Sequence, residues 1–167
     1  MTSLFKKLNF KGPCTIYFYH APLILKDELE KMSEWGDIFE DEKKPPHIDF
    51  AMIFVINQLE IDEVIQIIDP MLSHDAVLWF CYPKGSSKKY KSDINRDKGW
   101  NVLGKYSFEP VRQVAIDEDW SALRFRKIHY IKKMTRREDF FLSEEGRNRS
   151  QKNDDPFSGI QDIKITH

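Results

Sequence analysis

Three segments of this chain are apolar at odd and even positions alike: CTIYFYHA at 14–21, IDFAMIFVI at 48–56 and AVLWFCY at 76–82. A strand with one wet face alternates apolar and polar residues, so runs like these predict strands covered on both faces. The segments between them have a helical period. After Pro22, the run LILKDELEKMSEW places Leu25, Leu29 and Met32 on one face, with Gly36 available to end the helix. Ile61, Val64, Ile65 and Ile68 form a second such face before Pro70. Strand, helix and strand in succession predict right-handed parallel crossovers in one sheet.

The remaining elements follow from turn and cap residues. A short strand is expected at 37–40, followed by a loop through EDEKKPPH. Ser92 or Asp93 is placed to cap a helix running through Trp100, Val102 and Leu103, with Gly104 near its end. The segment 111–117 reads as a strand. The turn Glu118-Asp119 then leads into 121–128, where Leu123 and Phe125 alternate with Arg124 and Arg126, so the two strands should form an antiparallel hairpin. The fold class is therefore α/β: an open, mostly parallel, doubly wound Rossmann-like sheet that ends in a C-terminal antiparallel hairpin. The strands near 14–20, 48–56, 76–82 and 110–117 are expected as parallel neighbours, with 121–128 antiparallel. Residues 1–134 are expected to form a single domain. Beyond it, Thr135 and Glu138 fit a capping box for a short helix at 140–145, and the rest of 135–167 is a polar tail.

A chain of 167 residues supports one core. Its 26 basic and 27 acidic side chains nearly balance, which disfavours a nucleic-acid partner. The acids concentrate at 27–42 and the bases at 124–137. The longest apolar stretch, 50–56, is far shorter than the roughly 20 residues of a membrane span, and MTSLFKKLNF has no signal-peptide apolar run. No membrane association and a cytoplasmic location are expected. Cys14 and Cys81 lie in apolar strands and read as packing thiols. His47, His74 and His129 have no Cys or His partner at ligand spacing, so no metal is expected.

The segments FEPVRQVAIDEDWSALRFRKI and FCYPKGSSKKYKSDINRDKGW resemble an uncharacterised bacterial family of small proteins with a reduced class I methyltransferase-like fold. The patterns that carry the resemblance are AID-x-x-W-S-x-L-R-F and Y-P-K, and it spans about residues 7–133. It implies a fold and no assigned chemistry. An adenosyl or nucleotide cofactor needs glycines just after the first strand, where backbone must approach the ligand. This chain has Tyr19-His20-Ala21-Pro22 there, and Pro22 lacks an N–H. Glu40 stands where a ribose-binding carboxylate would sit, but within an acidic run that reads as solvated charge. No cofactor is expected.

Ligands of open α/β sheets bind beyond the C-terminal ends of the parallel strands. The candidate binding residues are therefore those that leave the strands: His20, Asn57, Tyr82, Lys84, Ser86, Lys88, Asp117 and Trp120. The lysine-rich loop at 83–91 offers a flexible glycine, hydroxyls and cations to an anion, although it does not match the phosphate-loop pattern. Each candidate also has a structural role open to it. His20 can be a hydrogen-bonded strand-end residue, Asp117 can fix the hairpin turn, Trp120 can pack against it, and the lysines can be solvated. No catalytic residue is assigned. Two functions compete: a non-enzymatic module that binds a small anionic ligand or a partner protein, and an enzyme, either a divergent methyltransferase or a hydrolase, built on the strand-end cluster. The missing glycines favour the first.

Overall fold

The computed structural model describes residues 1–131; the helix expected at 140–145 and the polar tail lie outside them. The chain runs through α1 (Ser3–Lys7), β1 (Cys14–Tyr19), a 3-10 turn (Leu23–Leu25), α2 (Lys26–Glu30), a second 3-10 turn (Lys31–Glu34) and β2 (Gly36–Glu40). It continues through β3 (Ile48–Phe54), α3 (Gln58–Ile68), β4 (Leu72–Pro83), α4 (Asn101–Gly104), β5 (Phe108–Ala115) and β6 (Trp120–Lys127). The six strands form one sheet in the order β2-β1-β3-β4-β6-β5. β1 is parallel to β2 and β3, and β3 is parallel to β4. β6 is antiparallel to both β4 and β5.

This is a Rossmann-like sheet with its switch point between β1 and β3, from which the chain proceeds first to β2 and then to β4 on the other side. The last two strands correct one expectation. β5 runs in the same direction as β4 but is not its neighbour, because β6 returns between them. The side chains account for the order. Leu123 and Phe125 of β6 are buried in the cluster that holds Leu78 and Phe80, whereas β5 at the sheet edge exposes Arg112 and Gln113.

Both faces are covered, as the doubly apolar strands require. One face packs Ala51, Ile53, Leu78 and Phe80 against Ile61, Val64, Ile65 and Ile68 of α3. Each of these helix residues is essentially fully buried and contributes about 1.5–3 kcal/mol relative to exposure. The other face packs Ile16, Phe18, Met52 and Trp79 against Leu4, Phe5, Leu25, Leu29 and Met32. The Trp79 indole N–H donates to the Leu8 carbonyl at 2.8 Å and fixes the end of α1 to the sheet centre.

Three local expectations change. The 23–35 segment buries Leu25, Leu29 and Met32 as its period predicts, but it is a short α-helix between two 3-10 turns. Gly36 does not cap it. Gly36 is the first residue of β2, opposite Cys14, and a Cβ there would stand 2.0 Å from the Cys14 carbonyl oxygen. No helix starts at Ser92 or Asp93, whose side chains bond outward to β3's exit and α3, and Gly99 has a left-handed φ of 103°. Only Asn101–Gly104 is helical.

Candidate functional site

At the C-terminal edge, β1 ends on Tyr19 and the chain turns at His20, whose φ of 53° lies in the left-handed region. The His20 N–H donates to Asp41 Oδ1 at 2.7 Å, and its ring stacks on Tyr19 with centroids 3.8 Å apart. Asp41 follows β2, and its carbonyl accepts the Tyr17 hydroxyl at 2.6 Å. Across the switch point, Asn57 is the N-cap of α3, with Oδ1 accepting the Glu60 N–H at 2.9 Å. Glu60 reaches back so that Oε1 accepts the Ile56 N–H at 2.9 Å, while Oε2 lies 3.3 Å from His20 Nδ1. Asp93 accepts the Gln58 N–H at 3.0 Å. The first-turn N–H groups of Gln58 and Glu60, which could otherwise face an anion, are thus bonded to the chain's own side chains.

A second cluster forms where β4 and β6 meet. Asp117 Oδ1 accepts the N–H groups of Asp119 and Trp120, both at 2.8 Å, and so fixes the hairpin turn. The Lys84 N–H donates to the Asp119 carbonyl, the Ser87 hydroxyl donates to Asp119 Oδ1 at 2.8 Å, and Lys89 Nζ lies 3.8 Å from Asp119 Oδ2. Ser86 and Lys88 are exposed on this loop. The loop then crosses to the first cluster, where the Ser92 hydroxyl donates to the Ile56 carbonyl at 2.7 Å.

His20 and Asn57 are therefore brought together through Glu60, and Lys84 and Asp117 through Asp119. Tyr82 and Trp120 are not brought together. Tyr82 packs on Trp100 on one face of the sheet, with its hydroxyl accepting from Gln113 Nε2 at 3.0 Å. Trp120 packs on Phe54 and Tyr90 on the other. Both are buried.

The β1 side of this edge is electronegative. Burial, and then the charges of Asp41 and Glu42 with neighbouring Tyr19, push the Tyr17 phenol up to about 12. Burial also raises Tyr19, followed by Glu60, Glu63, Asp41 and Glu42. Sequence reasoning did not select Glu60 or Asp41, and took Asp93 only as a helix cap, although Asn57-x-x-Glu60 has capping-box spacing.

Where the backbone of a glycine cofactor loop would approach an adenosyl group, this chain places His20, bonded to the carboxylates of Asp41 and Glu60, and the next turn begins at Pro22 without an N–H. Glu40, at the end of β2, is 3.8 Å from Lys26 Nζ. Among the described residues, no group of three or more His, Cys, Asp or Glu side chains is placed to hold a metal, and no helix is long and apolar enough to cross a membrane.

A cleft also lies at the opposite, N-terminal edge of the parallel strands. There His74 Nδ1 is 2.9 Å from the Tyr130 hydroxyl, and Lys127 Nζ is 2.8 Å from Asp69 Oδ1. Its walls come from the start of β4 and the turn after β6, which are too far apart in the chain to form a motif. The thiols are poor nucleophiles. Burial and then Asp49 push Cys14 up to about 11, and burial alone raises Cys81 well above its ordinary value.

No protein-family profile matches the sequence, and no curated protein matches it. Among solved structures, the chain is similar to the N-methyltransferase NodS from Bradyrhizobium japonicum WM9, at 13% identity over 74% of this chain and 91% of that one, with a TM-score of 0.49. It is similar to the B. subtilis tRNA methyltransferase TrmK at 10% identity, 92% and 78% coverage and a TM-score of 0.47. A protein of the NADB-Rossmann superfamily from Streptococcus agalactiae gives 12% identity, 92% and 82% coverage and a TM-score of 0.46. Likenesses of this size carry no argument about activity. The Rossmann-like assignment rests on strand order and direction.

Proposed function

We propose that this chain is a non-enzymatic interaction module on a methyltransferase-like scaffold, and that its strand-end edge docks a partner protein through a segment with basic and apolar side chains. The observation that carries this reading is the composition of the edge. Leu23 and Ile24, just after β1, are 85% and 71% exposed, and Leu59, in the first turn of α3, is 63% exposed. Ile56 at the exit of β3 is partly exposed as well. Clustered exposed apolar residues with polar surroundings mark interaction surfaces. On the β1 side of this edge the carboxylates of Glu60, Glu63, Asp41 and Glu42 act on Tyr19, and that negative charge favours a cationic partner over an anionic one.

A basic amphipathic helix supplies that complement, with apolar anchors on one face and lysines flanking it. The test titrates the full chain with a peptide of about 15 residues carrying Leu and Lys at helical spacing, and with its Leu and Glu counterpart, by heteronuclear NMR. The basic peptide is expected to bind more than about tenfold tighter, with shifts at Leu23, Ile24, Ile56 and Leu59. The double variant L23D/L59D should lose that binding while keeping its stability within about 0.5 kcal/mol, because both side chains are exposed. Equal binding of the acidic peptide, or shifts confined to another surface, would overturn the reading.

One observation favours the enzyme alternative. His20 is about half exposed and oriented by Glu60, an arrangement that suits a general base. The side chains hydrogen-bonded or stacked against it are Asp41, Glu60 and Tyr19, none of them a serine or cysteine nucleophile. A hydrolytic activity abolished by His20→Gln would move this reading ahead.

A further inference from the structure

We infer that Arg112 and Arg124, directly opposed on the β5–β6 hairpin, form a binding site for a small dianionic oxyanion, a phosphate group free or as a monoester. The site lies away from the strand-end edge and does not depend on the docking role proposed there. Glu109 lies across from Arg126 in the regular register, and a shift between Pro110 and Arg112 then sets Arg112 across from Arg124. Residues directly opposite in an antiparallel pair share a face, and like charges there repel. A hairpin that places two arginines in this position retains a local cost that a bound anion would remove.

The two rungs differ in how their charge is balanced. Arg126 donates from Nε and Nη2 to the two oxygens of Asp75, at 3.1 and 2.6 Å, and so engages that carboxylate from both sides. Glu109 belongs to the same rung. Neither Arg112 nor Arg124 is hydrogen-bonded to a carboxylate among the described residues. Arg124 is nonetheless only 4% exposed, lies beside fully buried Trp79 of β4, and has a buried Nε with no hydrogen-bond partner.

Burying a guanidinium whose Nε–H has no partner is costly, and the group does not escape by losing its proton at neutral pH. Burial, then the charge of Arg126, lowers the Arg124 pKa to about 10; Asp75 opposes them, and Arg112 adds a smaller lowering. The two guanidinium groups, neither hydrogen-bonded to a carboxylate among the described residues, match a dianion in charge. Their planar N–H forks also match the oxygen spacing of a phosphate, which a lysine pair would hold only as point charges. Arg112 is exposed and gives the anion a route in, while Arg124 supplies the desolvated donor.

The test uses the full chain, exchanged into phosphate- and sulfate-free buffer, and follows the arginine Nε–H resonances and the melting temperature during titration. Inorganic phosphate and glycerol phosphate serve as probes at constant ionic strength, with chloride as the control. Both probes should saturate, shift the Arg124 Nε–H signal and raise the melting temperature, whereas chloride should not. If only glycerol phosphate saturates, the source is a monoester; if only phosphate does, the free ion is the ligand. Arg112→Gln, at an exposed position that does not threaten folding, should weaken binding by more than about tenfold. Arg124→Gln should remove the saturable response. Three results would overturn the inference: no saturation with either probe by about 20 mM, equal affinity in wild type and Arg112→Gln, or an Arg124 Nε–H already hydrogen-bonded before any anion is added.

Discussion

The imidazole Nδ1 of His20 stands 3.3 Å from Glu60 Oε2, tying the residue that leaves β1 to the first turn of the helix that follows β3. The same carboxylate accepts the Ile56 N–H, so one side chain holds both lips of the switch point. Glu60→Ala should lower stability by about 1 kcal/mol, the loss of a charge-assisted hydrogen bond at a partly solvated position. Glu60→Gln, which keeps an acceptor for Ile56, should lose less. Urea unfolding at an unchanged m-value measures both, and an unaltered midpoint for the alanine variant would show that the bridge carries no weight.

Gly36 illustrates how a sequence signal can be assigned the wrong cause. At the end of a helical period it resembles a helix stop, yet the position needs glycine because the Cys14 carbonyl oxygen of the neighbouring strand occupies the space of a Cβ. Gly36→Ala should therefore cost about 3 kcal/mol or more, since backbone on both strands must move. Gly85→Ala, with nothing within 4 Å of its Cβ position, should change stability by no more than about 0.5–1 kcal/mol. Equal effects at the two sites would contradict this account.

Asp49 links the strand starts at the N-terminal edge. It accepts the Ser73 hydroxyl at 2.6 Å and the Thr15 N–H at 2.9 Å, and lies 3.2 Å from His47 Nε2. Burial alone would raise its pKa, but the Ser73 and Thr15 hydrogen bonds and the nearby His47 together lower it. Because the folded pKa is depressed, its contribution is fully present above the unfolded aspartate pKa and disappears as pH falls through the folded value. Asp49→Asn should flatten the acid limb of the stability profile and lower stability at neutral pH by about 1 kcal/mol. Unfolding midpoints across the acid range decide this; parallel wild-type and variant curves would refute it.

The sheet was legible where both strand parities are apolar, because Phe50 to Phe54 and Leu78 to Cys81 cannot be satisfied at a wet surface. The hairpin was legible from its alternation. Which of its strands lies beside β4 was not, because that choice depends on burial against Leu78 and Phe80 rather than on local pattern. α1 escaped notice for a similar reason: five residues burying Leu4 and Phe5 are shorter than any reliable periodicity window. At the edge, His20 and Asp117 could be placed as strand exits. Glu60 was not singled out: its bond to Ile56 is local, but its partner His20 meets it only through the fold.

Calorimetry of S-adenosylmethionine added to the full chain tests the central claim most directly. The strand-end edge carries an imidazole and two carboxylates where the backbone of a cofactor loop would have to approach, so no saturable heat is expected up to about 1 mM, a limit near −4 kcal/mol. A dissociation constant in the low micromolar range, about −8 kcal/mol, would show that the edge opens for the cofactor after all, and the chain would then be better described as a methyltransferase than as an interaction module.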